Sequence, residues 1–249
     1  MAAGPHSIVF QNSGVGPHSV ASPQSACTSS MPRFFPPAEH SDTAGLVRVG
    51  GELSTAWLID AYRHGIFPWP LTDGTLAWWS PDPRAVIEFD RFRPSRRLLR
   101  TYRSGRFETA RDRDFRGVIT ACATAHGRER GTWLTPAMRS AYSELHDLGI
   151  VHSVEAWRNG LLVGGVYGVA LGGYFAAESM FYHERDASKV ALVALVEHLQ
   201  ERGFQLLDIQ QLTPHTERLG ASAIPREEFL TRLHGALAAA VDFTGSLGQ

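Results

Sequence analysis

The sequence predicts an α+β protein, in which a small N-terminal domain precedes a larger domain built on a mixed, largely antiparallel sheet. Three strand-like segments follow one another with tight turns between them, which is typical of an antiparallel meander. Segments with helical apolar spacing lie before and after this meander. An aromatic and proline-rich segment separates the larger domain from the first helix. The 249 residues, 43% apolar and 20% charged, suffice for one large core or two smaller ones.

Residues 1–31 are rich in Ser, Gly, Pro and Ala, which predicts a disordered extension. Met31 is an alternative start, so the segment before it is either translated or an artefact of the assigned start. These residues lack a secretory signal, and no apolar run reaches the roughly 18 residues that span a bilayer. Cys27 and Cys122 make no disulfide framework, and Cys122 is expected to be buried. We expect a cytoplasmic monomer that does not bind a membrane.

Residues 32–82 form the predicted small domain. Its helix begins after Ser54, a residue type that caps helix N-termini, and ends at Gly65. The segment FPWP that follows is expected to carry no regular element, because proline lacks the N–H that helices and sheets use. The larger domain, residues 83–249, opens with a predicted strand at 85–89.

The elements of the larger domain follow from apolar spacing and capping residues. One amphipathic helix begins at Phe115, and a second has Thr135 as its N-cap, Pro136 at its first position and Gly149 after its end. The remaining elements are strands at 151–157, 161–169 and 174–181, a helix at 187–202, a strand at 204–210, a helical turn at 214–219 and a helix from Pro225. This order is typical of an acetyltransferase-like (GNAT-type) fold, which by itself does not establish a function.

Three polar residues lie in the two strands that flank the 187–202 helix. Asp208 and Gln210 are two residues apart, so strand geometry places them on one face. Glu178 lies in the apolar strand YFAAESM, where a buried carboxylate without a partner is costly. These residues either form a catalytic site or support the structure. In the structural alternative, Glu178 lies at an exposed strand edge or pairs with an arginine, and Asp208 caps the end of its strand. Side-chain chemistry alone leaves both alternatives open.

Seven arginines and no acidic residue lie between Arg91 and Arg106. In a helix that begins at Pro94, four arginines are expected on one face: Arg93, Arg96, Arg97 and Arg100. Such a face is either solvated or binds phosphates, and uncompensated arginines favour phosphates. The formal net charge of −1 argues against nucleic-acid binding only if this local distribution is ignored. Trp69 and Trp133 lie in loop-like contexts, where aromatic rings stack on bases or, more often, fill a core.

The absence of several sequence motifs argues against several kinds of site. An acyl-CoA enzyme of this fold holds the pyrophosphate with a glycine-rich loop before the central helix, whereas HERDASK at 183–189 contains no glycine. The sequence contains neither zinc-like Cys/His spacing nor a phosphate-binding glycine–lysine loop nor a nucleophile elbow. The pattern therefore predicts acyl transfer without a metal or cofactor, from a donor other than acyl-CoA.

Six ordered segments resemble the signature blocks of the leucyl/phenylalanyl-tRNA–protein transferases. They are YRHGIFPWP (62–70), WWSPDPRAV (78–86), GTWLTPAM (131–138), GLLVGGVYGVALGGYFAAESMF (160–181), ASKVAL (187–192) and LLDIQQLTPHTERLGASAIPREEFL (206–230). The resemblance implies an enzyme that carries leucine or phenylalanine, and less well methionine, from tRNA to proteins beginning with Arg or Lys. In bacteria this transfer marks the product for degradation.

The resemblance also implies roles for individual residues. The family's catalytic acids and amide match Glu178, Asp208 and Gln210. Its apolar pocket for the donor side chain would consist of Trp133, Val166, Phe175, Met180 and Leu195. The terminal adenosine and the acceptor stem would contact Tyr62, Trp69, Arg93, Arg96, Arg97 and Arg100. Two departures are Ala177 in place of the usual Gly and Val166 in place of a frequent Met, and the second widens the expected pocket.

Aminolysis of an activated ester depends mainly on positioning and on stabilising the oxyanion. An amide oxygen is a very weak base, so Gln210 is expected to orient the acceptor amine and Asp208 to polarise or anchor it. Glu178 is expected to hold the cationic N-terminal residue of the acceptor, and the destination of the proton stays open. Three rival hypotheses remain, namely an acyl-CoA N-acyltransferase, a non-catalytic tRNA-binding module and a peptidoglycan-bridge transferase.

Overall fold

A computed structural model describes residues 33–124 and 132–245 of the chain. The predicted disordered extension and Cys27 lie outside these ranges. The described residues belong to one compact unit, and the division into two domains near residue 82 stays a prediction. No helix in the two described ranges is both long and apolar enough to cross a membrane.

The described chain begins with a small antiparallel sheet and one helix. A 3-10 turn precedes β1 (Leu46–Val49), α1 (Thr55–Arg63), β2 (Phe67–Pro68) and β3 (Ala77–Trp79), and the strand order is β1-β3-β2. The Ser54 side chain accepts the Trp57 N–H, which confirms the predicted cap. Strand β2 corrects the expectation that FPWP carries no regular element. It lies at the edge of the sheet, where the missing N–H of proline is tolerated.

A seven-stranded mixed sheet follows and confirms the predicted α+β class. Its elements are β4 (Arg84–Ile87), α2 (Arg96–Arg103), β5 (Glu108–Arg111), α3 (Phe115–Thr124), α4 (Pro136–Asp147), β6 (Val151–Arg158), β7 (Leu161–Leu171), β8 (Tyr174–Tyr182), α5 (Ala187–Arg202), β9 (Leu206–Gln210), α6 (Pro214–Glu217), β10 (Ala221–Ile224) and α7 (Arg226–Leu237). The strand order is β10-β4-β9-β8-β7-β6-β5, and every neighbouring pair is antiparallel except β8 and β9.

Most elements lie where apolar spacing and capping residues predicted them. The Thr135 hydroxyl accepts the Met138 N–H at the start of α4, and α5 ends at Gly203. The strands β1, β3, β5 and β10 were not predicted. Of these, β5 and β10 are four residues long and lie at the two edges of the seven-stranded sheet, and their sequences ETAR and ASAI show no alternation of large apolar and polar residues.

Two apolar layers cover the sheet. On one face α1, α3, α4 and α7 bury side chains such as Leu58, Phe115 and Phe229, and the same core contains the buried Cys122. On the other face α5 is buried along most of its length against β6, β7 and β8, with α2 beside it. The central strands are therefore covered on both faces over most of their length.

Strands β8 and β9 separate along their length. Their parallel pairing joins Tyr174–Ala176 to Leu206–Asp208 and ends there, although β8 continues to Tyr182 and β9 to Gln210. At Gln210 the backbone has a φ of 57°, a left-handed conformation that interrupts strand geometry. A cleft opens between the two diverging strands.

A fully buried ion pair joins β4 to β9. The Arg84 guanidinium donates from Nε to Asp208 Oδ1 at 2.9 Å, from Nη2 to Oδ2 at 2.6 Å, and from Nη1 to the Gly65 carbonyl at 3.0 Å. The rings of Phe67 and Phe229 lie 4.8 and 4.5 Å from the guanidinium carbon. Burial alone lowers the pKa of Arg84, but the adjacent Asp208 outweighs burial and raises that pKa. Because both side chains are 0% exposed, neither can replace its partner with water.

We expect Arg84→Met to lower the free energy of unfolding by about 3–5 kcal/mol, because it leaves the Asp208 carboxylate buried without its counter-charge. Arg116→Met is the control, since the side chains of the Arg116–Asp147 pair are 67% and 59% exposed and such pairs contribute at most about 1 kcal/mol. Urea denaturation followed by circular dichroism measures both variants. An equal loss of unfolding free energy in the two variants would contradict the role assigned to the buried pair.

Candidate active site

A cavity of about 280 Å³ occupies the cleft between β8 and β9. Its apolar lining includes Ile87, Val166, Met180, Leu192 and Ile209. Its polar lining includes Glu178, Gln210, Thr213 and Thr216. A mostly apolar cavity with a few polar groups is typical of a site that binds a small molecule or a single side chain.

Three of the five residues expected in the apolar pocket line this cavity, namely Trp133, Val166 and Met180. The other two, Phe175 and Leu195, are 1% and 0% exposed within the core layer of α5 and do not line it. Leu192 lines the cavity instead of Leu195, one helical turn away on α5. Ile87 and Ile209 were also missed, because their place depends on the pairing of β4 with β9, which the sequence did not predict.

Two stacked tryptophans border the cavity. The rings of Trp69 and Trp133 lie 4.8 Å apart with 20° between their planes, and Trp69 is 45% exposed. The Trp79 indole N–H donates to the Trp69 carbonyl at 2.8 Å and holds this segment in place. An exposed indole beside an apolar cavity can stack on a nucleobase, whereas the fully buried Trp78 fills the core.

Tyr62 lies in the core, where a nucleotide does not reach it. Its side chain is 0% exposed, and its hydroxyl forms a hydrogen bond of 2.6 Å with the Tyr142 hydroxyl. Tyr142 donates in turn to Glu178 Oε2 at 3.2 Å. Burial, and then the nearby Glu178 carboxyl, raise the pKa of both tyrosines, so both hydroxyls keep their protons. This geometry does not fit the expected contact of Tyr62 with the terminal adenosine and places Tyr62 in the network that supports Glu178.

Glu178 faces the cavity from an interior strand. Its strand β8 lies between β7 and β9, which excludes the alternative of an exposed strand edge, and the nearby Arg84 is paired with Asp208. Gln210 Nε2 donates to Glu178 Oε1 at 3.0 Å. Burial raises the pKa of Glu178 to about 8, while hydrogen bonds from the tyrosine hydroxyls oppose the shift and the charge of Asp208 adds to it. The carboxyl therefore exchanges its proton close to neutral pH.

Asp208 and Gln210 lie close together, but only Gln210 lines the cavity. Asp208 is 0% exposed, and its carboxylate also accepts the Tyr174 hydroxyl at 2.7 Å and the Gln210 N–H at 2.8 Å. The backbone at Gln210 is left-handed, and the Gln210 side chain lines the cavity. The structure thus brings Glu178 and Gln210 together and holds Asp208 out of the cavity. The hydrogen bond from the Gln210 N–H to Asp208 fits the alternative in which Asp208 caps the end of its strand.

The helix α2 carries arginines on two sides. Its N-cap Ser95 accepts the Leu98 N–H. Three arginines, Arg96, Arg100 and Arg103, line one shallow hollow. Arg93 precedes the helix and donates to the Phe92 carbonyl, so it does not belong to this helical face.

Two arginines of the run have acidic partners from the loop after β8. Arg97 lies 3.4 Å from Asp186, and Arg106 lies 3.3 Å from Glu184. The expectation of a run without acidic partners is therefore wrong for these two residues, because their partners are distant in sequence. The arginines of the hollow are the better candidates for phosphate contacts.

Comparison with known proteins identifies the family. The family model described as leucyl/phenylalanyl-tRNA protein transferase matches residues 86–234, and the model of its N-terminal domain matches residues 51–82. The chain is 52% identical over 197 residues to the leucyl/phenylalanyl-tRNA–protein transferase of Azotobacter vinelandii (strain DJ), which covers 78% of this chain and 87% of the relative. It is 52% identical over 201 residues to the protein of the same name from Aromatoleum aromaticum, which covers 80% of this chain and 85% of the relative.

Among solved structures, a GCN5-related N-acetyltransferase-like protein from Streptococcus suis gives a TM-score of 0.36 at 14% identity, covering 72% of this chain and 79% of that one. The family matches confirm the resemblance that the signature segments indicated. The chain belongs to the leucyl/phenylalanyl-tRNA–protein transferase family and is an aminoacyltransferase.

Proposed function

We propose that this chain transfers leucine or phenylalanine, and less well methionine, from charged tRNA to the N-terminal α-amine of proteins beginning with Arg or Lys, and thereby marks them for degradation. The observation that carries the proposal is the cavity between β8 and β9, in which an apolar lining adjoins Glu178 and Gln210. The apolar part fits the donor side chain, and the polar part fits a reacting amine. The enzyme is expected to act as a monomer in the cytoplasm, where charged tRNA is made.

The apolar lining supports an apolar donor. Burying a Leu or Phe side chain among Val166, Met180 and Leu192 stabilises the bound donor by roughly 1.5–3 kcal/mol. The stacked Trp69 and Trp133 at the border of the cavity support the terminal adenosine, because base–aromatic stacking contributes about 1–3 kcal/mol per base. Donor side chain and adenosine would then lie on either side of the ester that reacts.

The polar lining supports aminolysis of that ester. Gln210 donates its amide N–H to Glu178, which leaves the amide oxygen to accept a hydrogen bond from the incoming amine. Asp208 is a positioning residue in this arrangement, since it holds the Gln210 backbone N–H and has no surface in the cavity. The site therefore orients the amine with a neutral amide, and most of the rate gain comes from orientation.

The rival acyl-CoA enzyme is disfavoured by the start of α5. Asp186 stands there with a φ of 72° and gives no side-chain cap to the helix, and its carboxylate is surrounded by Arg97, Arg185 and Lys189 at 3.4–4.0 Å. The segment before and at the start of α5, HERDASK, contains no glycine, whereas an acyl-CoA enzyme would need a glycine-rich loop here to hold the pyrophosphate on backbone N–H groups. The other rivals, a non-catalytic tRNA-binding module and a peptidoglycan-bridge transferase, differ in the product that forms.

The decisive experiment is incubation with phenylalanyl-tRNA and a peptide that begins with Arg, followed by mass spectrometry. We expect the peptide to gain one phenylalanyl residue at its N-terminus. An N-acetylated copy of the peptide is the control and is expected to stay unmodified, because it has no free α-amine. Binding of tRNA without transfer would support the non-catalytic module, and a rise of the melting temperature with CoA would support the acyl-CoA enzyme.

We expect Gln210→Gly to lower turnover by about 100-fold, the usual effect of losing orientation at a reacting group, with little change in tRNA affinity. Glycine adopts the φ of 57° at this position without strain, so the backbone and its bond to Asp208 are kept. Gln205→Gly is the control, because Gln205 is exposed just before β9 and outside the cavity. Unchanged turnover in Gln210→Gly would show that the amide does not position the amine.

Replacing Arg96, Arg100 and Arg103 together by Gln is expected to weaken tRNA binding and to flatten its salt dependence. Each lost phosphate contact lowers the slope of log K against log salt by roughly one. The control replaces three exposed arginines that have acidic partners, Arg113, Arg116 and Arg158. Equal slopes for wild type and the α2 variant, measured by filter binding, would contradict the phosphate contacts.

A further inference from the structure

The candidate site contains two carboxyl groups, and only one of them is open to a substrate. Both oxygens of Asp208 are already engaged: Oδ1 accepts from Arg84 Nε and from the Gln210 N–H, and Oδ2 accepts from Arg84 Nη2 and from the Tyr174 hydroxyl. The side chain is 0% exposed and does not line the cavity. A proton that leaves a substrate in the cavity has no direct route to Asp208 without breaking the ion pair.

Glu178 has the opposite surroundings. It lines the cavity, where Oε1 accepts one hydrogen bond from Gln210 Nε2 and Oε2 accepts one from the Tyr142 hydroxyl. Each carboxylate oxygen has two acceptor positions. The Tyr62 hydroxyl also interacts with this carboxyl group, and Oε1 keeps one position for a further donor. The amide that would orient the amine is thus hydrogen-bonded to a carboxyl group with unused acceptor capacity.

The geometry points to Glu178 as the group that receives the proton of the attacking amine and returns it to the leaving oxygen of the tRNA. This inference rests on the proposed transfer reaction and settles which group serves as its general base. It replaces the expectation that Glu178 mainly holds the cationic side chain of the acceptor. Asp208 then acts only by positioning Gln210.

The reaction balances without any other reactant. The amine nitrogen attacks the ester carbonyl carbon, and a carbon–nitrogen bond forms. The nitrogen loses one proton to the Glu178 carboxylate. The carbon–oxygen bond of the ester then breaks, the ribose oxygen leaves with the electron pair, and the Glu178 carboxyl returns the proton to it. Glu178 ends the cycle ionised as it began.

The electrostatics of the site agree with this role. Burial raises the pKa of Glu178 to about 8, close to the value of roughly 7.7–8.0 for an α-amine, so a proton moves between the two groups at little cost. The charged and titratable groups that face Glu178 are Tyr62 from α1, Tyr142 from α4, Arg84 from β4 and Asp208 from β9. The tyrosines and Arg84 lower its pKa, and Asp208 raises it.

The test is the pH dependence of kcat/KM for a peptide beginning with Arg, measured with phenylalanyl-tRNA below pH 8. In the wild type both Glu178 and the amine must be deprotonated, so activity is lost as the pH falls through about 8, and log(kcat/KM) approaches a slope of two. Glu178→Gln keeps the shape of the side chain but cannot accept the proton. We expect it to be about 100-fold or more less active, with a slope of one that reports the amine alone.

A second variant keeps the test decisive if Glu178→Gln does not fold. Tyr142→Phe removes a hydrogen bond that stabilises the ionised form of Glu178, so it raises the pKa of Glu178 further and moves the profile to higher pH. Glu144→Gln is the control, because Glu144 is exposed on α4 outside the cavity, and its profile should match that of the wild type.

The outcomes separate the two proposals. If the wild type transfers no phenylalanine, the proposed function fails. If the wild type is active but Glu178→Gln keeps the wild-type slope, or Tyr142→Phe leaves the profile in place, Glu178 is a binding group and the inference is overturned. A slope that falls from two to one, together with a shifted profile for Tyr142→Phe, supports Glu178 as the proton acceptor.

Discussion

The buried pair of Arg84 and Asp208 is the constraint on which the rest of the site depends. Two charges without access to water persist only when each satisfies the other and every remaining polar atom has a partner. Here those partners come from distant parts of the chain, namely the Gly65 carbonyl, the Tyr174 hydroxyl and the Gln210 N–H. The pair therefore fixes the position of β4, β8, β9 and the segment after α1 relative to one another.

The same pair explains why the cleft has its shape. Because Asp208 accepts the N–H of the residue two positions later, the chain curls at Gln210 into a left-handed conformation, which a residue other than glycine adopts only when its surroundings determine it. The parallel pairing of β9 with β8 ends at Asp208, and Gln210, at the last position of β9, lines the cavity between the two strands. The bond from Asp208 thus fixes the backbone of a residue that lines the pocket.

The sequence predicted much of the fold, since helix spacing, capping residues such as Thr135 and the meander depend on neighbours along the chain. It also placed Glu178 and Gln210 in two strands joined by one helix crossover. It missed β10 and the burial of Asp208, because both depend on β4, and Arg84 is 124 residues away from Asp208. The left-handed turn at Gln210 was not predicted either, because strand alternation assumes extended backbone at every position.

Two acids of similar chemistry therefore acquire different roles from their surroundings. Asp208 meets a guanidinium, a hydroxyl and a backbone N–H, and it serves to hold the backbone. Glu178 meets the Gln210 amide and the hydroxyls of Tyr142 and Tyr62, all neutral donors, beside an apolar cavity. Such surroundings suit a carboxyl group to exchange a proton with an amine. Gln210 touches both, through its backbone on one side and its amide on the other. A change at either acid therefore alters the same amide, and only the dependence on pH distinguishes loss of position from loss of the base.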